Sequence, residues 1–398
     1  MRARSHQYSE SDSYTDTTFY NKEKSSLDVA YQNFKEFNVA QYQMLSTITI
    51  LYIDHNKLTS LPFLPNLREL TCSVNCLRMI PFYPNLTFLS MSHNNIINCN
   101  QYHDSQLTYF DCSYNPGFNL DFRLPHCRQL YINNTELVYL DMTLVPSLIL
   151  LDASFNKLIE LKKGSEHLTE IDIKNNNIKE LPVWPKLEHL SADYNQLSYL
   201  QTYPQLSNLD ISHNILIQIN HQPNLTRITA SNNLIKHLGH MPKLKFMDFS
   251  YNSLTNIIIP ECAEYVSLQF NQITKLDLSN AIHIKNLQID FRCYKQVYET
   301  YYDNFKSVTI QPDSAKLETL LNKLGNTFKE DLINYVFQKF SKSEFHLRAD
   351  MLINLSLTLY KMHFPNDIAA ISDTEEYKYL LYNMTKLYYR TIVATLVF

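Results

Sequence analysis

The chain has 398 residues, 45% of them hydrophobic, and its Lys+Arg 35 against Asp+Glu 39 leave a net charge of −4. That length and apolar content suffice for a large core, while the charge balance excludes the broad basic field used by nucleic-acid binders. Glycine occurs only at Gly117, Gly164, Gly239 and Gly325, so no loop has the closely spaced glycines with which Walker-type or Rossmann-type sites approach phosphate.

Residues 1–24 are rich in Ser, Thr and charge and are expected to be disordered. The opening MRARSHQYSE lacks the apolar centre of a secretory signal, and no apolar run is long enough to span a bilayer. A soluble cytoplasmic protein is therefore expected, with no membrane contact and with its odd set of seven cysteines reduced. Over 25–44 the spacing of Leu27, Ala30, Tyr31, Phe34 and Phe37 behind Ser26 predicts a helical N-terminal cap.

From 45 to 297 one unit recurs, L-x-x-L-x-L-x-x-N-x-L-x-x-L, where each L is any apolar residue. Its Asn slot is filled by Asn56, Asn75, Asn94, Asn115, Thr135, Asn156, Asn176, Asn195, Asn214, Asn233, Asn252 and Asn271, at steps of 19 to 21 residues. A degenerate thirteenth unit carries Ile284, Leu287 and Ile289. The x-L-x-L-x centre predicts a short strand whose alternate side chains face opposite ways. A buried Asn amide after each strand can satisfy backbone groups of the adjoining turn, stacking into a ladder; Thr135 can supply less of this. Prolines of the return segments, such as Pro62, Pro81, Pro182 and Pro204, disfavour α-helix and predict extended or 3₁₀ backbone there. One unit buries about six apolar side chains at roughly 1.5 to 3 kcal/mol each, against about 1 to 2 kcal/mol for every residue ordered. Alone it cannot fold, so the units must stack and share faces.

Cys72 and Cys76, four apart, invite a metal reading. The repeat instead puts Cys72 in an inward strand slot, which Cys112 shares two units later, and puts Cys76 after the Asn, so the two side chains do not converge on one ion. His55, His93 and His213 share the slot before the Asn and are read as repeat positions rather than ligands. No metal and no cofactor is expected.

This pattern resembles the leucine-rich repeat family, in the short form found in bacterial effectors and in proteins of giant DNA viruses. The resemblance covers roughly 45–297. It implies an α/β solenoid, an arc with a parallel concave sheet and a 3₁₀ or extended convex side, that serves as a non-enzymatic scaffold binding a protein partner.

Beyond 297 the period stops. Leu317, Leu320, Leu321 and Leu324 form a helical stripe closed by Gly325, Thr327 and Glu330 make a capping box, and Ser372 and Glu375 make another, predicting a small all-α region over 298–398. Effectors with similar repeats carry a ligase domain that attacks through cysteine. Here the last cysteine is Cys293, so no thioester chemistry is expected of the tail. An adaptor role, in which the tail recruits or modifies a host protein, is the rival reading.

The outward slots lie six, four and two residues before each Asn. They present Tyr109, Asp111, Tyr131, Asp152, Asp172, His189, Asp193, Asp210, Arg227, Phe246, Asp248 and Tyr265. An acidic and aromatic face of this kind suits a monomer that receives a protein with a basic surface and would repel phosphate. The Asp and Ser of the recurring L-D-x-S-x-N form can equally serve only to solvate the face.

Overall fold

The structure, a computed structural model, describes residues 19–21, 25–37, 45–273, 276–278, 281, 283–290 and 307–311. The helices expected over 298–398 and most of the segment 1–24 lie outside the described residues. The chain divides into two compact units, Met1–Met247 and Asp248–Phe398, and the described residues of each follow the same coil.

In the first unit every coil contributes a three-residue strand, and successive strands pair in parallel with central residues in register: Leu51 with Leu70, Leu70 with Leu89, Leu89 with Phe110, and onward through Leu130, Leu151, Ile171, Leu190, Leu209 and Ile228. All of these central side chains are buried. A strand of three residues has no stability of its own; the in-register apolar row supplies it, since slipping one residue would turn every Leu to water. The return segments are extended or 3₁₀, as at Asn100–Tyr102 and Met142–Leu144. Their cover is partly polar: Tyr83, Tyr102 and Tyr203 are buried with each hydroxyl donating to a proline carbonyl of the preceding coil, Pro62, Pro81 and Pro182, at 2.8, 2.8 and 3.0 Å.

The N-terminal helix expected from Ser26 is corrected. Ser26–Asp28 is a strand that pairs in parallel with Ile50–Tyr52 and antiparallel with Phe19–Asn21. Leu27 and Val29 point inward, at 1% and 2% exposure, while Tyr31 is 68% exposed. An alternating S-L-D-V strand therefore outcompetes the helical spacing, because its two inward side chains can extend the apolar row. The segment is a further coil with Gln32 in the Asn slot: Asn56 Nδ2 donates to Val29 C=O at 3.0 Å, as the other ladder Asn of the first unit do to the coils before them.

The second unit repeats the scheme. Tyr265–Ser267 pairs in parallel with Asn286–Asp290, which pairs in parallel with Ser307–Gln311. That last strand lies past 297, where the sequence pattern places the end of the sheet.

The residue before each Asn slot has a left-handed backbone. Examples in the first unit are His55 (φ 54), Val74 (56), His93 (54), Tyr114 (52), Phe155 (53), Tyr194 (53) and His213 (54). None is glycine, although this region costs an L-residue roughly 1–2 kcal/mol. The conformation aims each such N–H at the next coil, as in Tyr194 N–H to Ser212 C=O at 3.0 Å, and it carries the chain from strand to ladder.

Candidate functional site

The ladder fixes the edge on which the site is built. Asn195 Nδ2 donates to Ala192 C=O of its own coil at 3.2 Å and to Ile173 C=O of the coil before at 2.9 Å, while Oδ1 accepts from Ile178 N–H at 3.0 Å. Asn56, Asn75, Asn94, Asn115, Asn156, Asn176, Asn214 and Asn233 make the same set in the first unit. In the second, Asn271 binds Phe249 C=O, Leu268 C=O and Leu254 N–H, and Asn252 binds Phe249 C=O. Thr135 instead donates within its own coil, to Ile132 C=O at 3.0 Å, and sits 3.0 Å from Asn156 Oδ1 in the following coil.

On the outward face of the first unit the strand residues stand in columns. At one end Phe88 stacks on Tyr109 (4.0 Å between centroids, 9° between planes), and Tyr109 meets Tyr131 at 5.3 Å. The three rings form a half-buried patch. Burial, and after it the neighbouring Asp111 carboxylate, push the Tyr109 phenol up from its ordinary value. Next to the patch lies an acidic strip. Asp111, Asp152, Asp172 and Asp210 each accept the N–H two residues on, at 3.0–3.1 Å, and in the second unit Asp248 does the same at 2.9 Å. These aspartates therefore tie down the turn into the ladder; the second oxygen of Asp111 accepts from Ser90 Oγ at 3.1 Å. Burial raises the Asp152 and Asp193 carboxyls; repulsion from Asp172 adds to the first and from Asp210 to the second.

Two basic groups interrupt the strip. Lys174 Nζ is 2.6 Å from Asp172 Oδ2 and 5.9 Å from the Phe155 centroid. Arg227 lies over the Phe246 ring at 3.6 Å. His189 Nδ1 accepts from Asn208 Nδ2 at 3.0 Å and helps line, with Glu170, Asp172, Asp210 and Arg227, a depression of 410 Å³. In the second unit Tyr265 Oη accepts from Gln288 Nε2 at 2.9 Å. The site residues expected from the sequence thus share one outward face within each unit. The slot before the Asn, in which the sequence places His55, His93 and His213 as repeat positions, forms a flanking left-handed column, and what the sequence did not disclose is that its rings stack in pairs: Tyr31 on His55, His93 on Tyr114, Tyr194 on His213, and, in the second unit, Tyr251 on Phe270, at 4.0–4.2 Å.

The cysteines are part of the core. Cys72 and Cys112 are fully buried, with burial pushing their thiols well up, and Cys99 and Cys127 are pushed up to about 12 by the same cause. Cys76 is exposed. Among the described residues no group of three His, Cys, Asp or Glu could hold a metal ion, and no helix is long and apolar enough to cross a membrane.

Short parallel strands, an Asn ladder and extended or 3₁₀ returns define a leucine-rich repeat solenoid. A leucine-rich repeat protein of Acanthamoeba polyphaga mimivirus is 45% identical over 417 residues, covering 100% of this chain and 99% of its own. The chain belongs to the leucine-rich repeat family. Among solved structures, the leucine-rich repeat domain of APL1B matches with a TM-score of 0.54 at 25% identity, over 73% of this chain and 90% of its own. The functional domain of InlJ from Listeria monocytogenes matches with a TM-score of 0.53 at 22% identity, over 76% and 71%; at that identity it speaks for the fold alone. No family model matches.

Proposed function

We propose that the protein is a non-enzymatic scaffold that binds a protein partner of basic or mixed surface through the outward face of its repeat sheet. The observation that carries this reading is the pairing of the Phe88–Tyr109–Tyr131 aromatic patch, its first two rings stacked, with an adjoining acidic strip on one sheet. Aromatic groups are enriched at interface centres, and complementary charge steers encounter. Side chains held by backbone ladders lose little further entropy on binding, so such a face is preorganised. The burial of Cys72, Cys99, Cys112 and Cys127, none of them in a disulfide, fits a reducing compartment such as the cytoplasm.

The test is affinity capture with the full chain from cells that produce it, comparing wild type with Tyr109→Ala and with the double variant Asp152→Lys/Asp172→Lys. The reading expects the same captured proteins to be lost in both, at unchanged fold. Capture indifferent to both changes would assign the rings and carboxylates to solvation and packing.

A further inference from the structure

Past the ladder, the segments that follow Asn115 and Thr135 are tied at both ends, by Gly117 N–H to Thr135 C=O at 3.0 Å and by Leu124 N–H to Leu144 C=O at 2.8 Å. Between those ties no main-chain hydrogen bond joins 118–123 to 136–143 among the described residues. In the next two coils the residue after the Asn donates backward, Lys157 to Leu137 C=O and Asn177 to Leu158 C=O, both at 2.8 Å; Glu136, at φ 64, makes no such bond. The two segments therefore part around a cleft of 590 Å³, lined by Phe118, Leu120, Leu137, Val138, Tyr139 and Leu144 and by the carboxylates Asp121, Glu136 and Asp141. Phe118 is buried edge-on against Phe110, with centroids 6.0 Å apart. Two observations set the cleft apart from a solvated crevice. The third residue after the Asn slot is apolar along its borders, with Ile97, Val138 and Ile159 at 58%, 51% and 54% exposure, whereas the two coils on either side place Thr59, Arg78, Lys179 and Ser198 there. Two of the three carboxylates are already met by lysines, Glu136 by Lys157 at 3.1 Å and Asp141 by Lys162 at 3.4 Å. Asp121 is exposed and has no ion pair among the described residues.

We propose that this cleft takes a large apolar side chain of a protein partner whose neighbouring residue is basic, the apolar group entering between the coils and the cation pairing with Asp121. The volume lies in the range of about 300–1,000 Å³ over which proteins hold small ligands. A leucine or phenylalanine side chain seated there shields Val138, Tyr139 and Leu144 from water, and exposed apolar borders with a polar rim mark sites of interaction. Charge complementarity selects the flanking residue. With Glu136 and Asp141 each met by a lysine, the carboxylate left for a guest is Asp121, and its complement is a cation. The inference rests on the protein-binding reading and adds to it a second contact that shares no residue with the outward face. The strands Tyr109–Asp111 and Gln129–Tyr131 belong to the same two coils, so a partner lying on those rings reaches the cleft by crossing the ladder at Asn115 and Thr135.

The experiment titrates the purified full chain with the peptide Gly-Phe-Lys-Gly, blocked at both ends and fluorinated on its ring, and follows the fluorine resonance by NMR. Competition against it ranks unlabelled forms. Replacing the phenylalanine by alanine should weaken binding at least about tenfold, and acetylating the lysine about threefold. Asp121→Asn should weaken the lysine peptide by about threefold and leave the acetylated one unchanged, while Glu180→Gln, an equal loss of exposed charge on another coil, alters neither. Val138→Trp, which fills the cleft from its border, should weaken both peptides at least about tenfold. Where that variant fails to fold, Val138→Ser reads the loss of the apolar border as a weakening of about threefold. Equal binding of the phenylalanine and alanine peptides, Asp121→Asn weakening both lysine forms alike, or release of the peptide by Tyr109→Ala in place of Val138→Trp would overturn the proposal. Absence of peptide binding to the wild-type chain overturns it as well, and leaves the outward face to its own capture test.

Discussion

Val74 carries the clearest local conflict among the described residues. It is β-branched, yet it sits at φ 56 in a slot that other coils fill with Asn134, Asn175 and Asn232, and asparagine tolerates this backbone far better. Val74 is 36% exposed, so little packing offsets the strain. Val74→Asn is expected to raise stability by about 1 kcal/mol, read as a higher midpoint in urea at unchanged slope; a lower midpoint would show that Val74 packs usefully against its neighbours. The opposite sign is expected at Asn195. Its amide serves three carbonyls and one N–H; Asn195→Ala leaves the Ile178 N–H buried without a partner, at about 1–3 kcal/mol, while the Ile173 and Ala192 carbonyls keep the amides of Asn176 and Asn214. A loss under about 1 kcal/mol would mean that water replaces the amide. The Asn slots were plain in the sequence because the same residue type returns in phase. The left-handed slot beside them was not, because the usual marker of that backbone, glycine, is absent and His, Tyr, Phe, Asn and Val take its place.

At the scale of the coil, the return segments set the spacing between neighbours. Gly164 is packed so closely that a Cβ would overlap the carbonyl oxygen of Met142 in the preceding coil, whereas a Cβ at Gly117 meets nothing within 4 Å and suffers only from its φ of 81. Gly164→Ala should therefore cost about 1–3 kcal/mol by forcing two coils apart, and Gly117→Ala about 1 kcal/mol from backbone strain alone. Thermal melts of the two variants check the order; a reversal would place the strain of the second above the clash of the first. Proline in these returns made extended or 3₁₀ backbone legible in advance. The coil at Leu27 was hidden for a different reason: Gln32 stands in the Asn slot, 24 residues before Asn56, and Leu27, Ala30, Tyr31 and Phe34 also satisfy helical spacing. Only the open edge of Ile50–Tyr52 decides between them, since the strand covers it and a helix there would leave its N–H and C=O groups unpaired.

For the molecule as a whole, stacking makes stability a sum over neighbouring coils, and charge on the sheet enters that sum with an unusual sign. Burial raises the Asp54, Asp152 and Asp193 carboxyls, so the folded state holds more protons than the unfolded one just above the ordinary carboxylate range, and stability falls as pH rises through that window. Asp152→Asn keeps the hydrogen bonds from Ser154 N–H and Oγ, at 3.0 and 2.7 Å, and removes the buried charge. It should be more stable than wild type at pH 7 and equal to it once the pH lies below both titrations; a variant less stable at pH 7 would show that the carboxylate is held by its bonds more than it is penalised by burial. The same sum has a weak term at Thr135. Where other coils send an amide back to the coil before, Thr135 donates within its own coil and leaves the backward link to main chain, as in Gly117 N–H to Thr135 C=O at 3.0 Å. A cavity of 590 Å³ opens beside it, lined in part by Gly117, Phe118, Leu137, Tyr139 and Leu144. Native-state hydrogen exchange should therefore find amides of the strands Tyr109–Asp111 and Gln129–Tyr131 opening at about 1–2 kcal/mol less than those of His189–Ser191 and Asn208–Asp210. Uniform protection across the four strands would mean that the contacts among the rings of Phe88, Tyr109 and Tyr131 make good what the missing amide does not supply.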